Sequence, residues 1–299
     1  MTKDIVKKVS IIGVGTQGSM IAFRNAIHGK DVVGFSRTQK SRDTAMNKIR
    51  KWLDHYIEIG RLSESEADES LGRIRMVETI EEAVKDSDLV VENIPEILES
   101  KKALFEQLDK ICDEKIYFNT NTSSLLMSEI IENISDERKK KCFAIDHDDP
   151  IRNDYLEMMW NKYTSEKTKE VAIGHYNTLG FDPIITEKEI KGYSINRVWR
   201  AVKRECLYLW AKGYVKPSEF DRGWMIEWDT DMGPFKLMDL IGLDTIYNIE
   251  MSYYNASGEE RDKPPIEFKE MVESGKLGMK SGEGFYNWKD TEAGNLMKE

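Results

Sequence analysis

The chain has 299 residues, enough for two domains with sizeable cores. One third of it is charged, with mean hydropathy -0.56, which excludes a helical integral membrane protein. The formal net charge of -10 argues against nucleic acid as a partner, because a phosphate backbone would be repelled, while a local basic patch around a small anionic ligand stays compatible with that total.

Residues 9–38 read as a strand, a Gly13-x-Gly15-x-x-Gly18 turn, a helix and a second strand ending at Ser36-Arg37. Val9, Ile11 and Ile12 form the buried run. Gly13 allows a tight turn, Gly15 lets the backbone approach a pyrophosphate, and Gly18 permits close packing of helix on strand, so the helix N-terminus at Thr16 and Gln17 faces phosphates. That is the mononucleotide-binding half of a dinucleotide fold. A site for NAD places a carboxylate at the end of the second strand, whereas an Arg fork suits a 2′-phosphate. Here the positions are Ser36, Arg37 and Thr38, so NADP(H) is expected over NAD(H), with Lys40 and Arg42 as outer contributors. The other reading, a solvated Arg37 and an enzyme that takes either cofactor, stays open.

From Thr44 to Gly72, Ile49, Leu53, Tyr56 and Ile57 fall at helical spacing and Ser63-x-x-Glu66 has the capping-box pattern, which predicts a helical hairpin. A short strand follows at Ile74 to Val77 and a buried parallel one at Asp88 to Glu92, leading into Asn93-Ile94-Pro95-Glu96. Next come a helix, Leu98 to Ile111, the strand Ile116 to Phe118 and the turn Asn119 to Ser124. Alternation of this kind predicts an α/β fold with a doubly wound, mostly parallel sheet that binds ligands at the carboxyl ends of its strands. After one more strand, Pro183 to Thr186, apolar residues recur at helical spacing from Ile195 onward. A Rossmann domain over residues 1–187 and an all-helical domain over 188–299 are therefore expected.

The first strand begins so close to Met1 that no signal or transit peptide is expected, and Cys112, Cys142 and Cys206 are scattered without metal spacing. A cytoplasmic location, reduced core cysteines and no metal site follow as expectations. His28, His55 and His175 lie outside the motifs and read as solvated.

Ordered motifs along nearly the whole chain make it resemble the short, two-domain 3-hydroxyacyl-CoA dehydrogenases. They are Gly13-Val14-Gly15-Thr16-Gln17-Gly18; Asp88 to Glu96 with Lys101-Lys102-Ala103-Leu104-Phe105; Asn121-Thr122-Ser123-Ser124-Leu125; Gly192-Tyr193-Ser194-Ile195-Asn196-Arg197; Met232 to Asp244; and Gly278 to Tyr286. The resemblance implies hydride transfer between a nicotinamide and a secondary alcohol. It also implies a histidine base oriented by a glutamate, a cofactor set that includes Asn93, Pro95, Glu96, Lys101 and Asn121, and a homodimer formed through the helical domain. A carboxylate behind an imidazole fixes its tautomer and stabilises the imidazolium as the hydroxyl proton is taken. His147 and Glu157 are the expected pair, with Ser123 and Asn196 holding the reacting oxygen or orienting the histidine.

The catalytic loop departs from the family's HFFNP pattern. Counted back from Pro150 without a gap, Asp146 takes the histidine position; with one inserted residue, His147 does. Asp146, Asp148 and Asp149 would disfavour an anionic group nearby and favour a cation or a hydroxyl-rich substrate. The reading is thus an NADP-preferring oxidoreductase acting on a small molecule, a 3-hydroxyacyl-CoA or a 3-hydroxy acid. The alternatives are a member acting on a polar non-CoA alcohol, a non-catalytic NADP-binding regulator, and a dehydrogenase of related architecture with a lysine base.

Overall fold

The computed structural model describes residues 5–147, 149–151 and 153–289, which divide into two units, one ending at Ser194 and one starting at Ile195. Asp148 lies outside the described residues. The first unit is built on eight strands, β1 Lys8–Ile12, β2 Asp31–Phe35, β3 Ile74–Val77, β4 Leu89–Glu92, β5 Tyr117–Asn121, β6 Cys142–His147, β7 Leu156–Met159 and β8 Ile184–Thr186. They lie side by side in the order β3-β2-β1-β4-β5-β6-β7-β8, and every pair is parallel except β6 with β7. The order reverses between β1 and β4, so the crevice at their carboxyl ends is the topological switch point of a Rossmann sheet. Fold class and layer order agree with the sequence.

Period-two alternation assigns each strand residue to one of two faces. Val9, Ile11, Val91, Phe143, Ile145 and Met158 enter a core shared with helices Thr16–Ile27, Gln39–Glu58, Glu64–Gly72 and Glu166–Thr178. Ile12, Val90, Phe118, Cys142, Ala144 and Met159 enter a second core under helices Leu98–Ile111 and Met127–Ile130. The expected hairpin is present, and its second helix starts on a reciprocal capping box in which Ser63 N donates to Glu66 Oε2 at 2.8 Å and Glu66 N to Ser63 Oγ at 3.3 Å. Gly192-Tyr193-Ser194 stays with the first unit, past the boundary expected near residue 188, because Tyr193 is wholly buried in the second core. His175, read from the sequence as solvated, is also wholly buried, its ring packed edge-on against Tyr176 at 4.9 Å. It sits on the inward face of its helix.

The regular elements among the described residues of the second unit are helices, with a core of Cys206, Leu207, Phe235, Met238, Leu243, Ile246 and Phe268. Two buried aspartates organise it. Asp221 accepts from the backbone of Phe235 and Lys236 at 3.0 and 2.8 Å and so caps the helix Pro234–Ile241. Asp239 accepts from Phe285 N and Tyr286 N at 2.9 Å and from Trp288 Nε1 at 2.8 Å. A Cβ on Gly278 would lie 2.2 Å from the Asp239 carbonyl oxygen, which is why the glycine-rich C-terminal motif closes over this carboxylate. Asp239→Ala leaves three donors without their acceptor. Urea denaturation is expected to register a loss of about 3 kcal/mol or more; a loss below about 1 kcal/mol would show that the segment is held by apolar packing alone.

Candidate active site

The glycine turn follows β1 at the switch point. Gly13 has φ +99°, and a Cβ there would lie 2.6 Å from the Asn93 carbonyl oxygen; one on Gly18 would lie 2.0 Å from Gly13 O. At Gly15 a Cβ would meet nothing within 4 Å. Two glycines therefore fix the turn and the third fronts open space. Gly15 is also the N-cap of the helix Thr16–Ile27, with no capping side chain and no acid in the first turn, so the helix's first N–H groups and partial positive charge point outward. Such a cradle fits a dinucleotide pyrophosphate. Lys48 reaches it from the next helix, its Nζ 3.3 Å from Thr16 Oγ1. Sequence reading missed Lys48, since nothing in its own helix signals that reach.

At the end of β2, Arg37 is exposed and makes no ion pair or hydrogen bond with the described residues. Thr38 is the N-cap of helix Gln39–Glu58, accepting from Ser41 N at 3.2 Å. Lys40 is exposed. Arg42 is not the outer contributor expected, because its buried guanidinium is consumed by the Ser36 carbonyl at 2.8 Å, Gln39 Oε1 at 2.7 Å and Glu78 Oε1 at 2.5 Å. It shapes the loop on which Arg37 stands.

Beyond β4, Lys101 is likewise not available to a ligand. It is wholly buried, with Nζ 2.7 and 2.8 Å from the two oxygens of the equally buried Glu92 and 3.2 Å from Glu96. Thr120 Oγ1 and Ile94 N complete the Glu92 shell at 2.5 and 2.6 Å. The lysine thus acts through Glu96, tying the turn that carries it to the sheet. Burial alone would raise the Glu96 carboxyl, but hydrogen bonds from Thr122 and Ser124 and the pull of Lys101 hold it below its ordinary value, so it stays ionised. Asn121 Nδ2 donates to Asn93 Oδ1 at 3.0 Å, joining the turns after β5 and β4, and the Pro95 carbonyl accepts from Ile97 N at 2.7 Å. Ser123 is exposed just past Asn121.

The β6–β7 register separates the expected base from its expected partner. Asp146 lies opposite Glu157, and His147 opposite Leu156. Since neighbours on a strand face opposite sides, His147 falls with Phe143 and Ile145, while Asp146 and Glu157 fall with Cys142, Ala144 and Met159. The imidazole packs against Phe181 at 5.4 Å and Tyr176 at 5.9 Å, with Nδ1 buried and without a hydrogen-bond partner among the described residues. Burial and the neighbouring Arg24 cation push its pKa down to about 3. It is a neutral core histidine, on the opposite side of the sheet from Glu157.

Glu157, wholly buried, accepts from Tyr155 Oη at 3.0 Å, from Ser194 N at 2.7 Å and Ser194 Oγ at 2.5 Å, and from Thr186 Oγ1. Tyr193 is wholly buried beside this group, held at φ +52°, and its hydroxyl has no hydrogen-bond partner among the described residues. Burial, reinforced by the charges of Asp146, Glu157 and Glu96, pushes its phenol far above the ordinary value, so it remains a donor. Sequence reading passed over Tyr193 and the Thr186 and Ser194 contacts. Strand parity from Phe143 and Ile145 was the available signal for Asp146. Asn196 lies in the second unit, exposed in the first turn of helix Ser194–Ala211.

His147 supplies a test of its placement. Its folded-state pKa lies below its ordinary 6.5, so as pH falls the unfolded chain binds the proton first; the associated stability is complete above 6.5 and drains away down to about 3. His147→Phe is expected to flatten the fall in unfolding free energy measured by urea titration between roughly pH 7 and pH 4. Equal slopes in the two proteins would rule out a neutral, buried imidazole.

Comparison with known proteins agrees with this architecture. The model of the 3-hydroxyacyl-CoA dehydrogenase NAD binding domain matches residues 8–190, and that of the 3-hydroxyacyl-CoA dehydrogenase C-terminal domain matches residues 192–288. The chain is 28% identical over 286 residues to a probable 3-hydroxybutyryl-CoA dehydrogenase of Bacillus subtilis (strain 168), covering 95% of this chain and 98% of that one. It is 30% identical over 293 residues to the mitochondrial hydroxyacyl-coenzyme A dehydrogenase of Homo sapiens, covering 96% and 93%. The crystal structure of 3-hydroxybutyryl-CoA dehydrogenase from Escherichia coli K12 superposes with a TM-score of 0.88 at 29% identity, over 96% of this chain and 60% of that one.

Proposed function

This chain belongs to the 3-hydroxyacyl-CoA dehydrogenase family and is an NAD(P)-dependent oxidoreductase, and from that premise we propose that it acts on a 3-hydroxyacyl-CoA or a 3-hydroxy acid with NADP(H) as preferred cofactor. The observation that carries the reading is the uncapped helix N-terminus behind Gly15, at the switch point, with exposed Arg37 and no carboxylate at the end of β2. When bound, the nicotinamide supplies or accepts the hydride. The chain's own residues do the rest. The Gly15 backbone and the helix N-terminus bind pyrophosphate, flanked by Thr16, Gln17 and Lys48. Arg37 meets a 2′-phosphate as a planar fork, beside Ser36 and Thr38. Asn93, Glu96 and Asn121, linked by their own hydrogen bond and by the Lys101 strut, orient the nicotinamide half. Ser123 hydrogen-bonds the reacting oxygen.

Exposed Val198, Tyr214, Ile226 and Trp228, between 64 and 72% accessible, support self-association of the helical unit into a homodimer. No helix among the described residues is long and apolar enough to cross a membrane.

NADPH and NADH oxidation with acetoacetyl-CoA and with free 3-keto acids tests the reading. Arg37→Asp is expected to raise KM for NADPH by about 10- to 100-fold, the worth of a charged hydrogen bond, and to leave KM for NADH nearly unchanged. Equal effects on both cofactors would remove Arg37 from the reading. The acceptor turned over decides between thioester and free acid; nucleotide binding without turnover on any acceptor would favour a regulatory protein.

A further inference from the structure

Resting on the oxidoreductase reading, we propose that Asp146, not His147, exchanges the proton with the reacting oxygen, and that Glu157 is its positioning partner. Strand register carries the assignment. Asp146 is cross-strand from Glu157, on the face that also holds Glu92, Thr120 and Met159, whereas His147 is sealed among Phe181, Tyr176 and Arg24 on the other. Both side chains are almost fully buried, so orientation decides between them, and an imidazole turned away from Glu157 does not serve there.

Two further observations point to the same place. Tyr155, Thr186 and both the backbone and the hydroxyl of Ser194 donate to Glu157. Glu157 is therefore held still opposite Asp146, with Glu96 as the next carboxylate acting on the shared neighbour Tyr193. Independently, the wholly buried Tyr193 hydroxyl, under the field of these carboxylates, has no acceptor among the described residues. A buried donor held on a left-handed residue is costly unless an oxygen completes it, and the reacting oxygen is the ligand atom that would.

In the oxidative direction the alcohol carbon gives its hydrogen with the electron pair to the oxidised nicotinamide, the C–O bond becomes C=O, and the hydroxyl proton passes to the Asp146 carboxylate. In reduction the same proton returns to the oxygen. Such a carboxyl does the work that an imidazole does elsewhere in the family, with no change in the electron count.

The test compares wild type, Asp146→Asn, Asp146→His, Glu157→Gln and His147→Phe by turnover, by NADPH binding and by carboxyl 13C NMR titration of Asp/Glu-labelled protein. Asp146→Asn is expected to lose about 100-fold or more in turnover with NADPH binding within about twofold, the signature of a proton-transfer group. His147→Phe should keep turnover within about threefold, and Asp146→His should bring an inflection near the ordinary imidazole value, about 6.5, into the kcat/KM profile. The Asp146 carboxyl titration should shift in Glu157→Gln. Activity surviving Asp146→Asn but lost in His147→Phe, or an Asp146 titration indifferent to Glu157→Gln, would overturn the proposal. If wild type turns over no substrate, the oxidoreductase reading falls, and the NMR titration still decides whether the two carboxyls are coupled.

Discussion

The Glu157 carboxyl group collects donors from Tyr155, just before its own strand, and from two residues about 30 to 40 positions further on, Thr186 at the end of β8 and Ser194 where the first unit stops. A carboxyl group at no solvent exposure needs such a shell, since a buried polar group without hydrogen-bond partners is costly in either protonation state. The shell has structural consequences well beyond the carboxylate. It ties β7 to β8 and to Ser194 at the end of the first unit, while the antiparallel β6–β7 register sets Asp146 opposite Glu157. A slip of one residue between β6 and β7 would exchange Asp146 and His147 across the sheet.

A second buried charge group does comparable work at β4. Glu92 and Lys101 neutralise each other out of water, and the lysine's remaining capacity reaches Glu96 and the Asn121 carbonyl. Pairs of this kind add little net stability over an apolar substitute, because desolvation offsets the attraction. What the pair provides is position. The turn after β4 and the end of β5 are fixed to one ammonium group, so the polar groups facing the switch point keep a single arrangement.

Where local chemistry dictates conformation, the sequence was readable. The glycine turn, the Ser63–Glu66 capping box and the buried Leu89-Val90-Val91 run each carry their reason within a few residues. Arg42, Lys101 and His147 were misread because their roles depend on partners far along the chain, Glu78, Glu92 and Phe181, which no window around each residue contains. The Gly278 to Tyr286 motif was legible as a family mark, yet its physical cause, a carboxylate at Asp239, is visible only once the segment has closed over it. At the end of β6 the motif count left two residues open, Asp146 without a gap and His147 with one inserted residue. Strand parity puts His147 on the face of Phe143 and Ile145 once this segment is known to be a strand, and the pairing of β6 with β7 then separates it from Glu157.

The loop after β2 separates shape from charge. Thr38 caps the following helix and Arg42 binds the Ser36 carbonyl and Glu78, so the backbone path is set without help from Arg37, whose side chain reaches into solvent. Residues that determine a fold resist replacement, whereas an exposed side chain on a prebuilt loop exchanges at almost no cost in stability. In evolutionary terms, the charge carried at position 37 is free to drift, and such drift need leave no trace in the core.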